Sequence, residues 1–147
     1  MIVAGALGAP ATVASTASAS SGGRCPRGTL GAVVTAYANA FSRATPLSAD
    51  ERAAAIAGGG TPTLRAILDD WLASPVGAGS TLTAERVHCR SRNRATVDTQ
   101  LVLAGVPLPE VLPEGRAVRV DGTWKVATAT FCRRMVLEDP SLAGACP

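Results

Sequence analysis

The sequence predicts an α+β fold in which N-terminal helices pack on a curved antiparallel sheet of about four strands. Three observations carry that expectation. Between residues 29 and 74 apolar side chains recur at spacings of three and four, and from Ser80 onward the spacing falls to two. An Asp121-Gly122 pair then sits between two alternating runs, the signature of a two-residue hairpin turn. Helices first and strands afterwards are unlike the strand–helix alternation of a parallel sheet.

Each element has its own local signal. Thr29 offers an N-cap for a helix running to Arg43, with Leu30, Val33, Val34, Tyr37, Ala38 and Phe41 on one face. That helix must stop before Pro46. Ser48 with Glu51 three residues on is a capping-box pattern, opening a short helix that carries Ala53 to Ala57 and ends at Gly58-Gly59-Gly60. Thr61 caps a third helix with Pro62 at its first position; Leu64, Ile67, Leu68, Trp71 and Leu72 form its stripe, and Ser74-Pro75 ends it. Strands are expected over 81–89 and 95–103, joined by the polar turn at 90–94. Ala95, Val97, Thr99, Leu101 and Leu103 share one face there, with Thr96, Asp98 and Gln100 on the other. Three prolines make 105–115 an irregular connection, with Val106, Leu108, Val111 and Leu112 packing down. A hairpin over 116–120 and 123–131 closes the sheet, and a short helix follows over 132–137.

Composition narrows the class. The chain has 147 residues, 14 Lys+Arg against 11 Asp+Glu, and a formal charge of +3, too modest to imply nucleic-acid binding. Hydrophobic residues make up 47% but aromatics only 3%, so Ala, Val and Leu must build most of the core. No run of strongly apolar residues is long enough to cross a bilayer, so no transmembrane segment is expected in the mature chain. Residues 1–23 carry no charge and are mostly Ala, Gly, Ser, Thr and Val. They read as a signal-like or disordered leader ahead of a single domain over 24–147. Ala17-Ser18-Ala19 fits a small-x-small cleavage site. The basic segment that normally opens a signal peptide is missing, so Met1 is expected to lie inside a longer one.

Four cysteines and no C-x-x-C point away from a zinc ribbon or a thioredoxin-type centre. In an exported protein they would form two disulfides, with three connectivities open. The favoured pairing joins Cys132 to Cys146, fastening the tail to the end of the last strand. Cys25 would then join Cys89, tying the segment before the first helix to the sheet.

The order of elements resembles the nuclear transport factor 2-like superfamily of SnoaL-like, cystatin-like cones, over roughly residues 28–138. The resemblance rests on the first helix with Tyr37 and Phe41, the third with Trp71, and the closing run Asp121-Gly122-Thr123-Trp124-Lys125-Val126. The tail from Thr130-Phe131-Cys132 to Cys146-Pro147 is similar to small exported actinobacterial proteins of the low-molecular-weight secreted antigen type. Gly22-Gly23-Arg24-Cys25 is not a lipobox, because Arg stands where a small residue is needed.

What the resemblance implies is a shell that hosts unrelated functions. Enzymes on it place an Asp or His base inside the cone, facing a hydrogen-bond donor. Asp98, His88 and Tyr37 are the candidates here, although Asp98 most simply faces solvent and Tyr37 lies on the apolar stripe. A pocket would be apolar, lined by Tyr37, Phe41, Trp71, Leu101 and Trp124. Arg86, Arg90, Arg92 and Arg94 are the densest charge feature, with Arg116 and Arg119 as neighbours: an anion or partner patch, or a solvated hairpin tip that discourages edge pairing. Aromatics for stacking on nucleic-acid bases are absent there. One His and no carboxylates at helical spacing leave no metal-ligand set, and no cofactor is implied.

The leading expectation is a small protein of the cell envelope or medium that binds an unknown protein or a small apolar ligand, non-enzymatic and with homodimerisation open. The alternative is a SnoaL-like isomerase, cyclase or hydrolase acting on a small lipophilic substrate in the cone.

Overall fold

A computed structural model of the chain describes residues 24–108 and 114–147. The Ala17-Ser18-Ala19 cleavage site, Val111 and Leu112 lie outside the described residues. Helix α1 spans Thr29–Phe41, α2 Ala49–Ala54, α3 Pro62–Ala73 and α4 Pro75–Ala78. Strands follow as β1 Ser80–Ser91, β2 Arg94–Leu103, β3 Val106–Leu108, β4 Gly115–Val120 and β5 Thr123–Val126. Helix α5, Thr128–Glu138, and a 3-10 turn, Pro140–Gly144, complete the chain.

The sheet is antiparallel, in the order β1-β2-β4-β5, with β3 also paired to β2. The fold is α+β with a curled, cone-like sheet. Bulges between Ala84 and Arg86 and between Cys89 and Ser91 interrupt the long β1–β2 ladder, and bulges bend a strand and raise its twist. Asp121 and Gly122 both take positive φ, 50° and 81°, as a type I′ turn demands. The outer edge of β5 does not stay open. Ile56 bridges Val126 in parallel, with Ala57 donating to the Val126 carbonyl at 2.8 Å and Val126 donating to the Ala55 carbonyl at 2.9 Å.

Four expectations change on meeting the structure. Thr29 is not the cap of α1 but its first residue; Gly28 caps it at φ 88°, and Thr29 is buried beneath. The short helix α2 stops at Ala54, because residues 55–57 leave it to bridge β5. Residues 106–108 are not irregular but an edge strand, where Pro107 needs no ladder donor; Val106, 58% exposed, does not pack down. The last strand ends at Val126 rather than Phe131. Ala127 donates to the Arg116 carbonyl, and one step further the Thr130 hydroxyl accepts from Arg116 N–H at 2.8 Å. A side chain thus takes over where the ladder would continue, and the chain turns into α5. Cys132 therefore fastens the tail to a helix, not to a strand end.

The core lies between the helices and the inner face of the sheet. Phe41 is its hub, with ring centroids 5.9 Å from Tyr37, 6.4 Å from Trp71 and 6.3 Å from Phe131. Val97, Leu82, Leu101 and Val126 supply the sheet's share of this layer. The pattern of apolar residues at helical spacing meeting apolar residues at alternate strand positions is what closes it.

A buried and a half-buried arginine, Arg52 and Arg43, hold the helix ends. Neither α1 nor α3 has a basic residue in its own last turn. Arg52 reaches from α2 to donate to the carbonyls of Asn39, Ser42 and Thr45 at 3.1, 2.7 and 2.6 Å, closing the C-terminus of α1. Desolvation lowers the pKa of Arg52, as expected of a buried cation. Arg43 donates to the Leu72 carbonyl at 3.1 Å and lies 5.5 Å from the centre of the Trp71 ring, closing α3.

Candidate functional site

The two faces of the sheet separate the sequence-predicted residues. Tyr37, Phe41 and Leu101 are buried on the inner face, Trp71 joins them from α3, and Trp124 sits at the rim. Tyr37 Oη donates to the Arg116 carbonyl at 2.9 Å. Burial raises the pKa of this phenol, outweighing its hydrogen bonds to Thr130 and Arg116, so it is held as a neutral donor. A Cβ placed on Gly115 would come within 2.5 Å of Tyr37 Oη, which leaves no room for a ligand at that point. Tyr37 and Trp71 pack against Phe41 in the core, and Trp124 borders two surface grooves.

Asp98 and His88 lie on the opposite, outer face. Strand pairing sets Arg86 across from Asp98 and His88 across from Thr96. His88 Nε2 approaches Asp98 Oδ2 at 3.5 Å, with both side chains somewhat over 40% exposed. This is a half-solvated pair on a sheet surface, away from the aromatic layer.

The arginine cluster divides three ways. Arg90 and Arg94, from the β1–β2 hairpin, meet Arg116 of β4 around an open groove of about 510 Å³. The register explains the meeting: Thr96 pairs with Arg116 and Arg94 with Val118, two residues apart and so on the same face of the sheet. The rest of the lining is Ala95, Thr96, Ala117, Val118, Ala127 and Ala129. Arg90 Nε donates to Thr96 Oγ1 at 3.2 Å. None of the three guanidiniums is in a salt bridge among the described residues. Arg92 leaves this group and borders a second groove, of about 490 Å³, with Arg27 and Arg119. Arg86 stays beside Asp98. Arg116, expected as a neighbour of the group, joins Arg90 and Arg94 through the β2–β4 register, whereas Arg119 goes with Arg92.

The cysteines pair as Cys25–Cys89 and Cys132–Cys146, with Cα atoms 5.1 and 5.6 Å apart. No group of three or more His, Cys, Asp or Glu is placed to hold a metal ion among the described residues. No described helix is long and apolar enough to cross a membrane.

Residues 26–140 match the family described as low molecular weight antigen MTB12, C-terminal domain. The chain belongs to this family. No curated protein and no solved structure matches it. The MTB12 match takes in the whole helix-and-sheet core and every groove arginine. It also includes Cys89 and Cys132 but ends short of their partners Cys25 and Cys146. Each staple thus joins the matched span to a residue just beyond its edge.

Two residues with large structural roles were not singled out by the sequence. Arg52 carried no signal, since its acceptors are backbone carbonyls. Arg134, 1% exposed, donates to Ser80 Oγ at 2.6 Å and to Glu138 Oε1 at 2.9 Å. The i,i+4 spacing of Arg134 and Glu138 was the one readable hint.

Proposed function

We propose that this member of the MTB12 family is a small exported binding module of the cell envelope or medium, acting through its surface rather than by catalysis. The observation that carries the reading is the division of the sheet: the inner face is packed with Tyr37, Phe41, Leu101 and Phe131, while His88 and Asp98 face outward, half exposed. A general base needs a shielded site against a bound substrate, and neither residue has one here. Two disulfides support export, because such bonds persist in oxidising compartments. The curled sheet under an aromatic first helix supports assignment to the nuclear transport factor 2-like cones. The partner, a protein or a small ligand, meets the outer sheet and its arginines.

Sedimentation with isolated cell envelopes tests the binding, and N-terminal sequencing of protein recovered from the medium tests export. The bound fraction should saturate and should survive Asp98→Asn with His88→Gln. Protein that stays wholly in the supernatant at every concentration would overturn the binding reading, and intact Met1 confined to the cytosol would overturn export.

A further inference from the structure

We infer that the groove between Arg90, Arg94 and Arg116 is a subsite for an organic phosphate monoester, a deepening that rests on the surface-binding reading above. Arg90, Arg94 and Arg116 line one concavity, and none of them has a carboxylate partner among the described residues. Like charges on one surface repel, and an anion between them offsets that cost. A lone carboxylate offers one negative charge to three cations. A phosphate monoester carries about −1.5 to −2 near neutral pH and three terminal acceptor oxygens, which match paired N–H donors from several arginines.

The floor indicates what the phosphate is attached to. The side chains of Val118 and Ala129 and the Thr96 hydroxyl line the groove, while Ala95 and Ala117, whose methyl groups are buried in the core, border it through their backbone. At about 510 Å³ the groove falls in the range of small-molecule sites. The Val118 and Ala129 side chains take the organic body, and the arginines take its phosphate. The uncapped start of α5, with no acidic residue in its first turn, opens beside the same floor and leaves the field there positive. Lys125, paired with Val118 across the β4–β5 ladder, adds a further positive charge near the groove.

Titration of the isotope-labelled full chain with 1-naphthyl phosphate, followed by amide chemical shifts, tests the assignment. Saturable shifts at Thr96 and Ala129 are expected, with naphthalene-1-carboxylate and inorganic phosphate each binding at least tenfold more weakly. Arg90→Gln, Arg94→Gln and Arg116→Gln should each weaken 1-naphthyl phosphate at least tenfold, while Arg86→Gln changes it less than twofold. The wild-type titration stands alone if a variant fails to fold. Absent saturable shifts, equal binding of the carboxylate, or equal sensitivity to Arg86→Gln would each sink the proposal. Envelope sedimentation that persists without phosphate binding would remove the groove assignment and leave the surface-binding reading in place; the reverse result would do the opposite.

Discussion

At the scale of single residues, the arginines decide more than their exposed location in sequence would suggest. Arg134 is buried with Nη2 shared between Ser80 and Glu138, whereas its Nε and Nη1 find no acceptor among the described residues. Truncating one partner of a buried pair strands the other and opens a cavity. Arg134→Ala is therefore expected to lose about 3–5 kcal/mol of stability. Arg134→Met keeps the volume and removes the unmatched donors, so it should cost less than half as much. Urea denaturation of the two variants measures the difference, and equal losses would show that volume plays no part. Apart from the local i,i+4 pairing of Arg134 with Glu138, the roles of Arg134 and Arg52 were not legible in the sequence. Their other partners, backbone carbonyls and the Ser80 hydroxyl, are brought together only in the folded chain.

At the scale of elements, local signals were legible and tertiary ones were not. The Ser48–Glu51 capping box could be read directly, and both of its hydrogen bonds are present, Ser48 N–H to Glu51 Oε2 at 2.7 Å and Glu51 N–H to Ser48 Oγ at 3.2 Å. Ser48→Ala should lower stability by about 1 kcal/mol, as seen in thermal melts. The Ser48 backbone N–H, helped by the Ser48 side chain, holds the Glu51 carboxyl below the usual carboxylate range. Its folded pKa is depressed, so its contribution is full above the ordinary Glu value of about 4.3 and fades as pH falls through the lower folded value. The gap between wild type and Glu51→Gln should accordingly shrink between pH 6 and 3; parallel melting curves would rule this out. The Asp121-Gly122 turn was equally legible, because few residue pairs tolerate two positive φ angles in succession. Gly122→Ala should cost about 1–2 kcal/mol by chemical denaturation, since Gly122 sits at φ 81° with open space around it and only backbone strain opposes the methyl. The boundary between β5 and α5 was not legible. Residues 124–129 alternate as a strand would, and only the Thr130 hydroxyl bonded to the Arg116 amide shows why the ladder stops.

At the scale of the whole molecule, the fold class could be read from the change in hydrophobic period, because one buried layer fixes which faces are apolar. The arginines of the groove could be read as candidates but not sorted. Arg90 and Arg94 stand four residues apart in the sequence, and only the pairing of β2 with β4 separates Arg116, which joins them, from Arg86 and Arg92, which do not. The staples constrain the unfolded chain by closing loops with sequence separations of 64 and 14. In the chain-entropy account, replacing Cys25 and Cys89 by Ala should cost about 4 kcal/mol, and replacing Cys132 and Cys146 about 3 kcal/mol. Urea midpoints rank the two, and a greater loss from the shorter loop would contradict that account. The positions of these bonds also decide how the protein would respond to being stretched. Tension applied at the two ends crosses from Cys25 straight to Cys89 and from Cys132 straight to Cys146, so the residues inside each loop never bear load. Between the two staples, the segment from Cys89 to Cys132 can pay out, about 43 residues or about 150 Å of extended chain. All four helices α1 to α4 lie within the shielded loop, whereas Arg90, Arg94 and Arg116 lie in the part that yields. Under load the basic groove would come apart first, while most of the helical layer remained held in its loop.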